Sequence, residues 1–247
     1  MGKVTTKDLE KLLAVARSTP QGPEAAQAQE AVFKALLDAT VYAHVPIEGA
    51  PPGRIRFIQF VRPDNGQTIL PFFSDRAQAE QPQRTDASIV AMSGRRLFEL
   101  TRGATLMLNP NLDQVALYPP EIVALLEGRE LGYFAKHSVE AGTSVGACPP
   151  SVPTDGLNIA LRDLFEQESA VRAAYLVEIH RTDASAQVSL LLAVVAVPAY
   201  HERLLQLATL ALRTSATDLD LPLDLLFVGP DAPLPEVCHA GIQFFGR

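Results

Sequence analysis

Apolar residues recur at helical spacing near the start of the chain. Leu9, Leu12, Leu13 and Ala16 fall on one face of a helix predicted over 8–17. Ser18, Pro20, Gly22 and Pro23 break it, and a second helix is predicted over 24–38, with Ala28, Val32 and Leu36 in register. The period then shortens to two. Residues 40–45 read as a strand, 46–53 as a proline-rich loop, and 54–62 as an alternating strand with Ile55, Phe57 and Gln59 on one side. Asp64-Asn65-Gly66 is a hairpin turn, because Asn-Gly tolerates positive φ, and 67–73 is the returning strand. Ser74-Asp75 opens a short helix over 76–81 as a cap. A strand over 87–93 and a helix over 95–101 follow, closed by Gly103. The stretch LMLNPNLDQVALYPPEIVALLEG (106–128) reads as strand, turn, strand and helix. Pro119-Pro120 suits the helix start, where a missing N–H costs little.

Beyond Gly142 the order is simpler. A strand (145–148), a helix (157–167, with Leu157, Leu161, Leu164 and Phe165 inward), two strands (171–180 and 187–197), a helix (200–214) and a strand (223–228) succeed one another, before a proline-rich connector (229–235). The β-α-β-β-α-β succession is the ferredoxin-like order. The expected class is therefore α+β, in two α+β modules over 1–140 and 141–247.

Charge supports that division. Residues 1–140 carry 15 Lys+Arg against 16 Asp+Glu, whereas 141–247 carry 6 against 12 and no lysine. Such an acidic chain is a poor polyanion binder, so nucleic acid is excluded as the main partner. The longest apolar run, 190–197, is far short of a membrane span, and the first residues lack a signal-peptide pattern. Met1-Gly2 with Thr6 satisfies a loose acylation pattern that is frequent by chance. Two cysteines 90 positions apart encode no disulfide framework. These features point to a cytoplasmic protein.

Four segments occur in the order of a known family: AVFKALLDATVYAHVP (31–46), LPFFSDRAQA (70–79), GRRLFELTRGATLMLNPNLD (94–113) and PPEIVALLEG (119–128). They resemble the N-terminal domain of the bacterial SseB family. VGACPPSVPTDGLNIALRDLF (145–165) and VRAAYLVEI (171–179) are similar to its C-terminal domain. The family takes its name from a phenotype, enhanced serine sensitivity. The resemblance implies fold more than activity, and brings no catalytic residues with it.

The candidate chemistry is dispersed. Arg95, Arg96 and Arg102 surround one short helix and suit carboxylates of an acidic partner; the plainer reading is a solvated face paired with Glu99. Asn109 and Asn111 adjoin that candidate surface, although Asn109-Pro110-Asn111 has a sufficient reason as a hairpin turn. Asp155-Gly156, between the first strand and helix of the second module, is a candidate small-ligand turn by analogy with amino-acid-binding modules; the plainer reading is a helix start capped by Thr154 or Asp155. Asp218, Asp220 and Asp224 could offer oxygen ligands, but their alternation with leucine is that of a half-buried strand. Cys148, Cys238 and His239 are soft ligands without the spacing of a structural zinc site. His180 ends a strand and His201-Glu202 opens a helix, neither within a His-Glu-x-x-His pattern. Ser74 reads as part of a cap rather than a nucleophile.

The expectation is a non-enzymatic protein without cofactor that binds a protein partner, or a second copy of itself through an uncovered sheet edge, and not a membrane or nucleic acid. An amino-acid sensor binding at Asp155-Gly156 is the alternative, and an enzyme of unrecognised type ranks third.

Overall fold

A computed structural model describes residues 5–20, 23–48, 51, 53–81, 86–132, 134, 145–181, 187–215 and 219–246. The described residues form seven α-helices and eleven strands in two mixed sheets, an α+β protein. The chain divides into two compact units, Met1–Ala135 and Lys136–Arg247.

In the first unit, α1 (Thr6–Ser18) starts earlier than its apolar stripe because Thr5 caps it. The Thr5 hydroxyl accepts from the Asp8 N–H at 3.2 Å, and the Asp8 carboxylate accepts from the Thr5 N–H at 3.2 Å. α1 buries Leu9 and Leu13, and α2 (Pro23–Asp38) buries Val32, Phe33 and Leu36. Strands β1 (Thr40–Pro46), β2 (Phe60–Val61), β3 (Thr68–Phe73), β4 (Ala87–Ser93), β5 (Leu106–Leu108) and β6 (Val115–Leu117) form a sheet ordered β4-β1-β3-β5-β6, with β2 also on β3. Only β3–β5 is parallel.

The strand expected over 54–62 is reduced to the two residues of β2. Leu70 donates its N–H to Thr105 beside β5, so Ile69, Pro71 and Phe73 address the opposite edge of β3. That edge is shared: β2 pairs at Thr68 and Ile69, and β1 takes over at Phe72 and Phe73. Pro71 lies between the two stretches, where its missing N–H leaves no ladder bond unmade. With the edge occupied, Ile55 is left 48% exposed.

Helices α3 (Arg76–Glu80), α4 (Gly94–Leu100) and α5 (Pro119–Leu126) complete the unit. Asp75 rather than Ser74 caps α3, accepting from the Gln78 N–H at 2.8 Å. Ser93 caps α4, accepting from the Arg96 N–H at 3.2 Å. Phe98 of α4 meets Phe72 of β3 edge to face, with ring centroids 5.9 Å apart.

The second unit holds β7 (Val145–Cys148), α6 (Asp155–Gln167), β8 (Val171–Arg181), β9 (Val188–Ala196), α7 (His201–Thr214), β10 (Leu223–Val228) and β11 (Ile242–Gly246). The elements follow the expected succession, but the pairing does not confirm a ferredoxin-like sheet. The order is β10-β9-β8-β11, with β7 also on β8. A ferredoxin-like sheet sets its first strand beside its third; here β7 pairs antiparallel with β8 instead. The reason is the length of β8. Its eleven residues offer an edge that β11 occupies at one end and β7 at the other, while β10 closes β9 in parallel. One face of this sheet carries the core: Leu157, Leu161 and Phe165 of α6 and Leu204 of α7 pack on Ala174, Leu176, Leu192 and Val194.

Among the described glycines of the first unit, the closest packing is at Gly94, whose N–H donates to Ala39 at 3.0 Å. A Cβ there would stand 1.9 Å from the Leu36 carbonyl oxygen, which belongs to the α2 backbone and cannot swing aside. We expect Gly94→Ala to cost about 3 kcal/mol or more, read as a lowered urea midpoint, because α4 must lift off α2.

Candidate functional site

Among the described residues, each unit holds a group of buried or half-buried polar side chains that the fold brings together. In the first unit, Asn109 opens the β5–β6 hairpin with φ +44, and its carbonyl accepts the N–H groups of Leu112, Asp113 and Gln114. The turn reading of Asn109-Pro110-Asn111 therefore holds, but Asn109 does more than turn the chain. It is fully buried. Its Oδ1 accepts from the Ser74 N–H at 3.0 Å, and its Nδ2 donates to Ser74 Oγ at 2.8 Å and to Asp113 Oδ2 at 2.6 Å. Ser74 Oγ in turn donates to Glu10 Oε1, and Arg17 holds Asp113 with two bonds of 2.7 and 2.9 Å. The chain of contacts Glu10–Ser74–Asn109–Asp113–Arg17 ties α1 to the ends of β3 and β5.

Burial removes Asn109 from the surface expected around Arg95, Arg96 and Arg102, whereas Asn111 is exposed. The three arginines are exposed too. Arg96 lies 3.9 Å from Glu99 in a weak, solvated pair. Arg95 reaches the Leu126 carbonyl at 3.5 Å, and neither it nor Arg102 pairs with a carboxylate among the described residues. Leu100 and Val123 are exposed large apolar residues on α4 and α5.

In the second unit, Cys148, Glu178 and His180 converge. Cys148 of β7 stands opposite Glu178 of β8 in the ladder, and Gly146 stands opposite His180. Directly opposed residues share a face, as do residues two apart on a strand, so all three side chains meet. Gly146 contributes no side chain, leaving the space beside His180 open. Cys148 Sγ lies 3.5 Å from His180 Nε2 and 3.9 Å from Glu178 Oε1, and Nε2 lies 2.9 Å from Oε1. The other carboxylate oxygen of Glu178 accepts from the Ser151 N–H at 2.8 Å and from its hydroxyl at 2.5 Å. Those two bonds, the hydroxyl's first, hold the Glu178 carboxyl below the usual carboxylate range, with His180 assisting. Desolvation and the neighbouring carboxylate push the Cys148 thiol up. Glu178 is buried, Cys148 half-buried and His180 exposed.

The remaining candidates stand apart. Cys238 is buried on a 3-10 turn (Glu236–Ala240), where desolvation raises its thiol, and His239 beside it is exposed; neither joins Cys148. Asp224 of β10 accepts from Arg181 and from the Ser189 hydroxyl, each at 2.8 Å. Asp220 is exposed, and Asp218 lies outside the described residues. His201 stacks on Phe227 with centroids 4.7 Å apart and donates to the Ala196 carbonyl, a packing role. Asp155 and Gly156 are exposed at the start of α6. Thr154 occupies the cap position there without a capping bond, its hydroxyl accepting from Asn158 Nδ2 at 3.2 Å.

Comparison with known proteins agrees with this two-unit architecture. The family model described as SseB protein N-terminal domain matches residues 9–124, and that described as SseB protein C-terminal domain matches 139–243. The chain is similar to Protein SseB of Escherichia coli (strain K12), at 28% identity over 90% of this chain and 84% of the relative. Protein SseB of Shigella flexneri matches to the same extent. No solved structure matches the chain.

The buried contacts of Asn109 yield a sharp contrast with its neighbour in the same turn. Asn109→Ala removes three side-chain hydrogen bonds and leaves Ser74 and Asp113 short of partners, at an expected cost of about 2–4 kcal/mol. Asn111→Ala changes an exposed side chain and should cost under about 0.5 kcal/mol in the same urea titration.

Proposed function

The chain belongs to the SseB family, and on that premise we propose that it is a non-catalytic cytoplasmic protein that binds a protein partner through the arginine-bearing face of α4. The observation that carries the reading is the state of that face. α4 buries Gly94, Leu97 and Phe98, and turns Arg95, Arg96, Glu99 and Leu100 outward, with Arg102 just beyond. Three guanidiniums thus stand around one carboxylate, and two of them have no carboxylate among the described residues. Arginine is the residue suited to an interface, because its planar fork binds carboxylates in pairs of hydrogen bonds and is weakly hydrated. Exposed Leu100 adds apolar surface beside them. The fitting partner presents clustered carboxylates around an apolar contact.

A non-catalytic role is favoured by the geometry at Cys148. A nucleophile relay sets the base between thiol and carboxylate, one on each ring nitrogen. Here Nε2 of His180 meets both the thiol and Glu178, and the thiol is shifted away from the reactive thiolate. No helix among the described residues is long and apolar enough to cross a membrane, which is compatible with the cytoplasmic reading.

The test is affinity capture from native extract with the wild-type chain and with an Arg95→Glu, Arg96→Glu, Arg102→Glu variant. All three side chains are exposed, so the variant should melt within a few degrees of wild type. The expected result is a stoichiometric protein captured by the wild type, weakened by added salt and lost from the variant. Equal capture by both forms, or no stoichiometric partner for the wild type, would overturn the reading.

A further inference from the structure

We propose that Cys148, Glu178 and His180 form a binding site for a divalent metal ion of zinc type, with a fourth coordination position left open. The donors come first. Thiolate, imidazole and carboxylate together select a borderline-soft ion such as Zn²⁺ over Mg²⁺ or Ca²⁺, which take oxygen alone. Three protein ligands and an open position distinguish reactive or exchangeable zinc centres from closed structural ones.

The geometry is close to what such an ion requires. Bonds of about 2.3 Å to sulfur and about 2.0–2.1 Å to nitrogen and oxygen set ligand-to-ligand edges of about 3.3–3.6 Å in a tetrahedron. The observed edges are 3.5 Å between Sγ and Nε2, 3.9 Å between Sγ and Oε1, and 2.9 Å between Nε2 and Oε1. Side-chain adjustments of about 0.4 Å bring all three into place. The three ligand atoms lie within 4.8 Å of one another.

The surroundings suit the same role. Ser151 donates twice to Oε2 of Glu178, which fixes the carboxylate and leaves Oε1 facing the thiol and the imidazole. Such outer hydrogen bonds orient the ligands of metal centres. Two paired strands carry all three ligands, so their mutual distances are set by a ladder and not by loops. Glu178 has 5% of its side chain exposed and His180 46%, so the site has a buried floor and an open mouth. Binding replaces the Cys148 proton, which leaves to solvent as the sulfur–metal bond forms. The two negative charges of thiolate and carboxylate then balance the ion.

This inference is independent of the arginine face. Its test is titration of the purified, tag-free and chelator-treated full chain with Co²⁺, whose tetrahedral complexes absorb in the visible and whose thiolate complexes add a near-ultraviolet charge-transfer band. The expected result is both signals saturating at one equivalent and abolished by Zn²⁺. Cys148→Ser should remove the charge-transfer band, Cys238→Ser should keep it, and His180→Ala should weaken Co²⁺ binding by about tenfold or more. Ser151 keeps both of its bonds to Glu178 in that variant, so it should remain folded at the assay temperature with at most a modestly lowered melting temperature. The proposal fails if the wild type gives no charge-transfer band, if the band survives Cys148→Ser, or if folded His180→Ala binds Co²⁺ as tightly as wild type.

Discussion

The two-residue period of β8 decides both the core and the polar site of the second unit. Ala174, Leu176, Glu178 and His180 lie on one face of that strand. At Ala174 and Leu176 the face is covered by α6 and α7, and the row is apolar. Two residues on, the same face meets Cys148 of β7 and the segment leading to α6, and the row becomes a carboxylate and then an imidazole. A single pleat thus runs from packed core to open site. One ladder fixes Leu176 against Leu192 and Glu178 against Leu190 of β9; a second, on the other edge of β8, fixes Glu178 against Cys148.

The first unit solves a different problem. Its sheet ends must be joined to α1, and the contact between them is polar. Buried polar groups are stabilising only when fully partnered. Asn109 meets that condition with donors and acceptor engaged, and accepts a left-handed backbone in doing so. Asparagine is among the few residues for which that conformation is cheap, since its short side chain bonds locally. The pairing of Arg17 with Asp113 then closes the contact where it reaches solvent.

Local features of both units were legible in the residues. Helix faces, the Asn-Gly hairpin and the Asn-Pro-Asn turn follow from spacing and turn chemistry, because the forces involved act over a few positions. Thr5 and Asp8, three apart, also carried a readable start for α1. What escaped depends on distant strands. The alternation over 54–62 is a sound strand pattern, yet the edge it would pair with is already held by β1 beyond Pro71. The βαββαβ succession is present, but a ferredoxin-like sheet is not confirmed for the same reason: order along the chain does not say which neighbour wins the free edge of β8. The residues point to Cys148 together with Cys238 and His239, but the turn that carries those two packs near β7 without bringing either side chain into the cluster. Glu178 was missed altogether. The signal available was Glu178-Ile179-His180, two ligand types placed on one face of a strand by the pleat. Only the register of β7 shows that a thiol stands opposite.

The Cys148 cluster is also costly for the fold that contains it. A carboxylate removed from water must recover its hydration from the protein, and Glu178 does so through Ser151 and His180. An apolar residue at that position would extend the row of Ala174 and Leu176 under α6 without any such compensation. Departures from local consistency of this kind are expected where a protein trades packing for function. The thiol 3.9 Å from the carboxylate gains almost nothing as a hydrogen-bond donor at that distance. A cation placed between the two would convert the weakest contact of the cluster into its strongest. The acidic balance of residues 141–247 acts in the same direction, raising the concentration of cations around the unit that holds the site.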